Sequence, residues 1–377
     1  MLAHFNTRLE DMVDTLTTLV EYESPTTDKA AVDRLGEWLA GELQAHGAQV
    51  ERHPREPVGD VWVARWNAGT PGKPLLFLCH IDTVWDVGTL KNQPLRRTDE
   101  GHLYGPGTYD MKGGITAAFF AIRELRALGQ MPDRPVHMLL TTDEEVGSHE
   151  SRDIIVEMAG ESALVMVTEP ALPDGSLKTA RKGTGLFHLH TYGVAAHAGG
   201  AHPEGVNAIA EMAHQVLRVQ EWTDYERGTT TSAGIVEGGT RTNVVPDECR
   251  VDIDVRVISQ GEERRVTQRF QDLEPVLPGA RVEVRGGFDR PPMERDGLMV
   301  ETFRRAQAIA ADLGLTLDEG ESGGGSDGNL TAALGVPTLD GLGPMGAGAH
   351  AVHEHIVVSD LAARATLMAG LVRDWPA

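Results

Sequence analysis

Two cysteines, Cys79 and Cys249, are too few to staple a chain of 377 residues, which excludes a disulfide framework and leaves both thiols reduced. Basic residues are also scarce: 34 Lys and Arg against 56 Asp and Glu give a formal net charge of -22. A surface of that sign repels phosphate backbones and anionic lipid, so neither nucleic acid nor a membrane is an expected partner. The opening stretch "MLAHFNTRLEDMVDTLTTLVEYESP" breaks its apolar residues with acids and has no basic segment leading into an uninterrupted apolar run. The expectation is therefore no signal peptide, no spanning helix and a cytoplasmic location. Internal repeats and low-complexity tracts are absent as well.

What is present is length and alternation. A chain of 377 residues exceeds what one hydrophobic core usually organises, and 41% hydrophobic residues supply an ample interior. Two amphipathic helical stretches, over 6–22 and 29–46, flank the turn "ESPTT". Short apolar runs follow as buried strands, "VWVARW", "PLLFLC", "VHMLLTT" and "ALVMV", with helical patterns over 115–128 and 153–159 between them. That rhythm predicts an α/β fold built on a mostly parallel sheet flanked by helices. From Lys182 the order becomes strand, helix, strand, strand, helix, strand, which is the ferredoxin-like β-α-β-β-α-β unit. Residues 182–291 are thus read as an inserted domain, and 1–181 with 292–377 as the main one. After the insert come a helix over 298–313, the Gly-rich "ESGGGSDGN", the strand "GVPTLD", a second Gly-rich loop and a last helix from Asp360.

Five short motifs carry the chemistry. In "CHIDTV", His80 and Asp82 lie two apart at a strand end, so both side chains point the same way and the carboxylate can orient the imidazole toward a metal. One such pair alone is more simply a loop cap. In "GPGTYDMKGG", Asp110 stands where a helix begins; an N-cap explains the acid but not the glycines around it, which permit close approach of the backbone. Lys112 in that motif lacks the spacing of a phosphate-binding loop. "TTDEEVGSHES" places Glu144 beside Glu145 after an apolar strand, with diverging side chains, so that one can bind metal while its neighbour faces a water. "VMVTEP" puts Glu169 directly after another strand, and "GAGAHAVHEH" offers His350, His353 and His355, of which one or two suffice as ligands.

Each motif has an ordinary explanation, but all five fall at carboxyl ends of strands or in adjoining loops, where open α/β sheets bind ligands. Charge counting favours a metal pair: with Asp110, Glu145 and Glu169 as carboxylates and His80 and His350 as neutral imidazoles, two divalent ions and one hydroxide bring the cluster to neutrality. Five ligands serve two ions if one bridges, and Asp110 is the candidate bridge. Imidazole and carboxylate donors suit zinc, with cobalt or manganese as substitutes. Glu144 is then free to act as general base, and the combination suggests hydrolysis of an amide.

Taken in order, "CHIDTV", "GPGTYDMKGG", "TTDEEVGS", "TEP" and "GAGAH" resemble the co-catalytic zinc aminoacylase and carboxypeptidase family, which includes glutamate carboxypeptidase, acetylornithine deacetylase and succinyl-diaminopimelate desuccinylase. The wording is closest to glutamate carboxypeptidase. The resemblance implies that His80, Asp110 and Glu169 hold one zinc and Asp110, Glu145 and His350 the other, with Glu144 as base and Asp82 behind His80. It also implies a cis peptide after Asp110. The insert, through "GVAAHAGGAHPEGVNAI", resembles the family's lid and dimerisation domain, which implies a homodimer in which His197 serves the partner subunit's active site. "GGTRTNVVPDEC" places Asn243, and "FDRPPM" places Arg290, where family members contact substrate. Arg290 suits a substrate α-carboxylate, or else pairs with acids at the domain hinge. Gly324 and Gly325 of "ESGGGSDG" are possible backbone contacts.

The resulting expectation is an exopeptidase that cleaves an amide next to a free carboxylate in a small peptide. An N-acyl-amino-acid deacylase using the same residues is the second reading. A dinuclear phosphoesterase fits an acidic cleft and a retained Glu base poorly, and a non-catalytic metal-dependent binding protein would not need the complete set of ligands and base.

Overall fold

The run "LLFLCH" forms the strand Leu75–His80, and every residue of it is buried. Such a strand must be covered on both faces. Alternate residues accordingly enter two cores, Leu75, Phe77 and Cys79 in one and Leu76 and Leu78 in the other. This strand lies near the centre of a six-stranded sheet whose order is Gln49–His53, Val61–Trp66, Val136–Thr141, Leu75–His80, Leu164–Val167, Thr338–Leu339. The last four run parallel, and the first two are joined antiparallel at one edge. The sheet is therefore mainly parallel, as its apolar runs predict, with an exception at Val61–Trp66. The strand Gln49–His53, polar but for Val50 and only partly covered, gave no apolar run by which to be recognised.

The computed structural model describes residues 1–376 and divides into two units, one of residues 1–179, 295–322 and 326–376, the other of 180–294 with 323–325. In the first unit, the helices Leu9–Glu21, Lys29–Ala45, Gly113–Ala127, Gly297–Asp312 and Asp360–Asp374 contribute to the larger core, and Arg152–Glu161 and Asp327–Ala333 to the smaller. The first expected helical stretch is the helix Leu9–Glu21, and a separate short helix, Leu2–Asn6, precedes it. Half of the Gly-rich "ESGGGSDGN" is regular structure: Ser326 caps the helix Asp327–Ala333 in a reciprocal box with Asn329. None of the described helices is long and apolar enough to cross a membrane.

The second unit is a four-stranded antiparallel sheet, ordered Thr230–Gly238, Glu248–Val257, Gly183–Tyr192, Arg281–Arg290. Strict alternation of buried residues with half-buried or exposed ones along Gly183–Tyr192 and Glu248–Val257 gives the sheet one apolar face. The helices Ala208–Gln220 and Gln260–Gln271, capped by Asn207 and Ser259, contribute Met212, Val219, Val266 and Phe270 to the core on that face.

Candidate metal centre

Parallel strands deliver the acids and histidines of the motifs to one end of the sheet. His80 is the last residue of Leu75–His80, Glu144 and Glu145 begin the turn after Val136–Thr141, and Glu169 follows Leu164–Val167 by two residues. The turn is held by Asp143, whose carboxylate accepts from the backbone nitrogen of Glu150 at 2.7 Å and from the Ser151 hydroxyl. Asp110 arrives from a different direction, in the loop before the helix Gly113–Ala127. The glycines of that loop have a steric purpose. A Cβ on Gly114 would sit 1.8 Å from the Thr168 carbonyl oxygen, so only glycine lets the helix start against the segment that carries Glu169. The peptide from Asp110 to Met111 is cis.

Two groups of donors result, His80 with Asp110 and Glu169, and Asp110 with Glu145 and His350; within each, the donor atoms all lie within 4.8 Å of one another. His80 Nε2 is 3.2 Å from Asp110 Oδ1 and 3.4 Å from Glu169 Oε1. His350 Nε2 is 3.3 Å from Asp110 Oδ2 and 3.1 Å from Glu145 Oε2. The two oxygens of Asp110 therefore face opposite groups. His350 has a left-handed backbone with φ of 61°, a conformation that costs a non-glycine residue energy and is often found where a side chain must be aimed. His353 and His355 do not join the groups; His355 instead stacks on His102 and Tyr104.

This donor set fits a pair of divalent ions. It offers nitrogen and carboxylate oxygen in the mixture that zinc accepts. Glu145 Oε1 is buried without a hydrogen-bond partner, an acceptor that a cation would satisfy. Without a cation the carboxylates hold protons on the imidazoles. Burial works against a charged His80, but the carboxylates of Asp110, Asp82 and Glu169 together push it well above the usual histidine range. Asp110 and Glu145 push His350 up to about 10. Burial opposes ionisation of Asp110, yet the two histidines hold it well below the usual carboxylate range, and burial raises Glu145, with Asp110 adding repulsion.

Asp82 is fully buried. The nearest acceptor to His80 Nδ1 is the Asp82 backbone carbonyl at 3.0 Å, with the carboxylate at 3.5 Å. That carboxylate also accepts from the Thr26 hydroxyl at 2.7 Å and faces the backbone nitrogens of Glu144 and Glu145 at 3.4 and 3.3 Å. Glu144 belongs to neither donor group, but its charge acts on His80.

His197, Asn243, Arg290, Gly324 and Gly325 belong to the second unit. The short strand Ala196–His197 pairs with Val244–Val245, and the Ala198 nitrogen donates to the Asn243 carbonyl at 3.0 Å, so His197 and Asn243 are neighbours. His197 is exposed, and its Nδ1 accepts from the nitrogens of Gly199 and Gly200, which leaves Nε2 as the outward donor of a neutral ring. Arg290 is buried at the end of Arg281–Arg290. The carbonyls of Gly324 and Gly325 each accept from the buried Arg181 at 3.2 Å. Arg181 carried no sequence signal. Neither did Glu354, which accepts from the loop around Asp110. Beside that loop, burial pulls the Lys112 ammonium down to about 7 against the attraction of Glu354, Glu23 and Asp82.

The comparisons with known proteins agree with this architecture. Carboxypeptidase G2 of Pseudomonas sp. is 30% identical over 370 residues, covering 96% of this chain and 89% of that protein. Succinyl-diaminopimelate desuccinylase of Delftia acidovorans is 29% identical over 354 residues, 86% of this chain and 88% of the relative. The crystal structure of aminopeptidase PepT from Bacillus cereus shares the fold, with a TM-score of 0.76 at 24% identity over 97% of this chain and 98% of that one. Residues 76–374 match the profile of peptidase family M20/M25/M40, and the chain is a member of that family of metal-dependent hydrolases.

Proposed function

We propose that the protein is a dinuclear zinc-dependent hydrolase that cleaves an amide bond next to a free carboxylate, in the manner of a carboxypeptidase. The observation that carries the reading is the pair of donor groups sharing Asp110, each of whose oxygens faces a different histidine. In this reading His80, Asp110 and Glu169 hold one ion and Asp110, Glu145 and His350 the other. Bound there, the ions would supply a Lewis acid for the scissile carbonyl and a water that loses its proton near neutral pH.

The chain's own residues do the rest. Glu144 takes a proton from the attacking water and delivers it to the leaving nitrogen, which departs as an amine. Asp82 keeps His80 oriented and anchors the turn that carries both Glu144 and Glu145. Arg290 pairs with the substrate's free carboxylate, for which a guanidinium fork is suited. In a homodimer His197, with a donor facing outward, serves the partner subunit's active site, Asn243 contacts substrate, and Gly324 and Gly325 contribute backbone contacts.

A homodimer formed through the inserted unit, which would then act as lid and dimerisation domain, completes the proposal. In its support, Thr230–Gly238 is an edge strand, and a groove of about 470 Å³ between it and the helix Ala208–Gln220 is lined by Ile209, Val216, Leu217 and Val236. Leu217 and Val236 are 66% and 65% exposed, apolar side chains on or beside an edge strand that a partner surface would cover.

The second reading, an N-acyl-amino-acid deacylase, rests on the desuccinylase likeness and uses the same residues. Assay of N-blocked glutamates, dipeptides and N-acyl diamino acids with zinc, cobalt and manganese separates the two. The proposal expects turnover of peptides with a C-terminal acidic residue, and loss of kcat by about 100-fold or more in Glu144→Gln. Undiminished turnover in Glu144→Gln would contradict it.

A further inference from the structure

Glu354 is 2% exposed, lies in neither donor group, and has no part in the chemistry proposed above. Its carboxylate nonetheless touches the segments that carry two of the candidate ligands, Asp110 and His80. Oε1 accepts from the backbone nitrogens of Tyr109 at 2.9 Å and Asp110 at 3.0 Å. Oε2 accepts from the Gly107 nitrogen at 2.9 Å and from the Trp85 indole at 2.7 Å. Trp85 belongs to the loop that leaves the strand end at His80 and passes through Asp82. The Glu354 backbone is tied in as well: its nitrogen donates to the Ala351 carbonyl at 2.8 Å, next to His350, and its carbonyl accepts from Gly105 at 3.1 Å.

Backbone and indole N–H groups can only donate. A carboxylate satisfies all four, whereas a side-chain amide of the same shape has one accepting oxygen and turns an NH₂ group toward two of the donors. Left unpaired in the interior, such donors cost more than the bonds gained. His350, held at positive φ, stands at the other end of the Glu354 segment.

We infer that Glu354 is a positioning residue of the metal centre, fixing Asp110, the His80 loop and the His350 turn in the mutual arrangement that two ions require. The inference deepens the proposed function and rests on its two-ion reading. Groups that orient metal ligands from behind typically govern metal affinity by about 10- to 100-fold.

The test is titration of the metal-free protein with cobalt(II), followed by calorimetry and by the visible absorption of the bound ion, in the unmodified chain, in Glu354→Gln and in Glu262→Gln. Glu262 is a carboxylate of the second unit bonded to Thr229, Arg227 and Arg265, and its variant reports what a general loss of stability does to metal binding. Glu354→Gln should weaken at least one of the two cobalt affinities by about 10-fold or more and alter the cobalt spectrum, while Glu262→Gln leaves both unchanged. If Glu354→Gln does not fold, Trp85→Phe removes one donor and should still shift the spectrum. Two cobalt ions bound with unmodified affinity and spectrum in whichever of these variants folds would overturn the inference and leave the two-ion reading intact. Fewer than two ions in the unmodified chain would remove that reading and the inference with it.

Discussion

The Asp82 carboxylate lies 3.3 Å from the backbone nitrogen of Glu145, a residue 63 positions later in the chain. A group expected only behind His80 thereby also holds the turn that presents an acid to the second donor group. Asp82→Asn keeps the shape but puts an NH₂ group where one of these amides now donates. The expected outcome is a folded protein whose kcat falls by about 10- to 100-fold with little change in KM, because orientation of ligands and base is lost and substrate contacts are not. Steady-state kinetics at saturating metal check it.

Gly114 is the position where backbone packing and site geometry meet. Alanine there would place Cβ 1.8 Å from the Thr168 carbonyl oxygen, a distance that backbone must move to relieve. Gly114→Ala should cost about 1–3 kcal/mol or more, the scale of overpacking in a rigid core, and separate Asp110 from Glu169. Gly160, whose added Cβ meets nothing within 4 Å, serves as the control. Urea unfolding of Gly114→Ala and Gly160→Ala, with m-values compared, measures the difference.

The homodimer proposal makes a demand on surface residues. Leu217→Glu with Val236→Lys would place charges on the apolar groove. The double variant should run as a monomer in analytical ultracentrifugation and keep the unfolding midpoint of its first unit, whereas the unmodified chain should sediment as a dimer.

Stability should also respond to pH through His137, whose cross-strand partner is Arg65. Burial, with the Arg65 charge adding to it, lowers this imidazole to about 4 from 6.5. Between those values the unfolded chain binds a proton that the folded chain refuses, so stability is lost as pH falls through that window. His137→Gln should narrow the gap between unfolding midpoints at pH 7.5 and pH 4.5 relative to the unmodified chain.

Much of this was legible in the sequence because burial on two faces writes continuous apolar runs, and parallel strands bring their carboxyl ends together. "LLFLC", "VHMLLTT" and "ALVMV" announced the central strands, and His80, Glu145 and Glu169 stood directly after them. Gln49–His53 was silent because an edge strand with polar residues on both faces has no periodicity to show. The antiparallel direction of Val61–Trp66 was equally hidden, since side-chain pattern does not encode strand direction. Glu354 escaped because what distinguishes it is four donors from distant segments, a property of the folded chain alone. The separation of His350, which joins a donor group, from His355, which stacks on His102 and Tyr104, is likewise a property of the folded chain.

The most direct measurement is anomalous X-ray diffraction at the zinc edge from crystals of the zinc-loaded protein. Two peaks are expected, one among His80, Asp110 and Glu169 and the other among Asp110, Glu145 and His350, with Asp110 touching both. A single peak, or peaks away from Asp110 in a fully active preparation, would contradict the account.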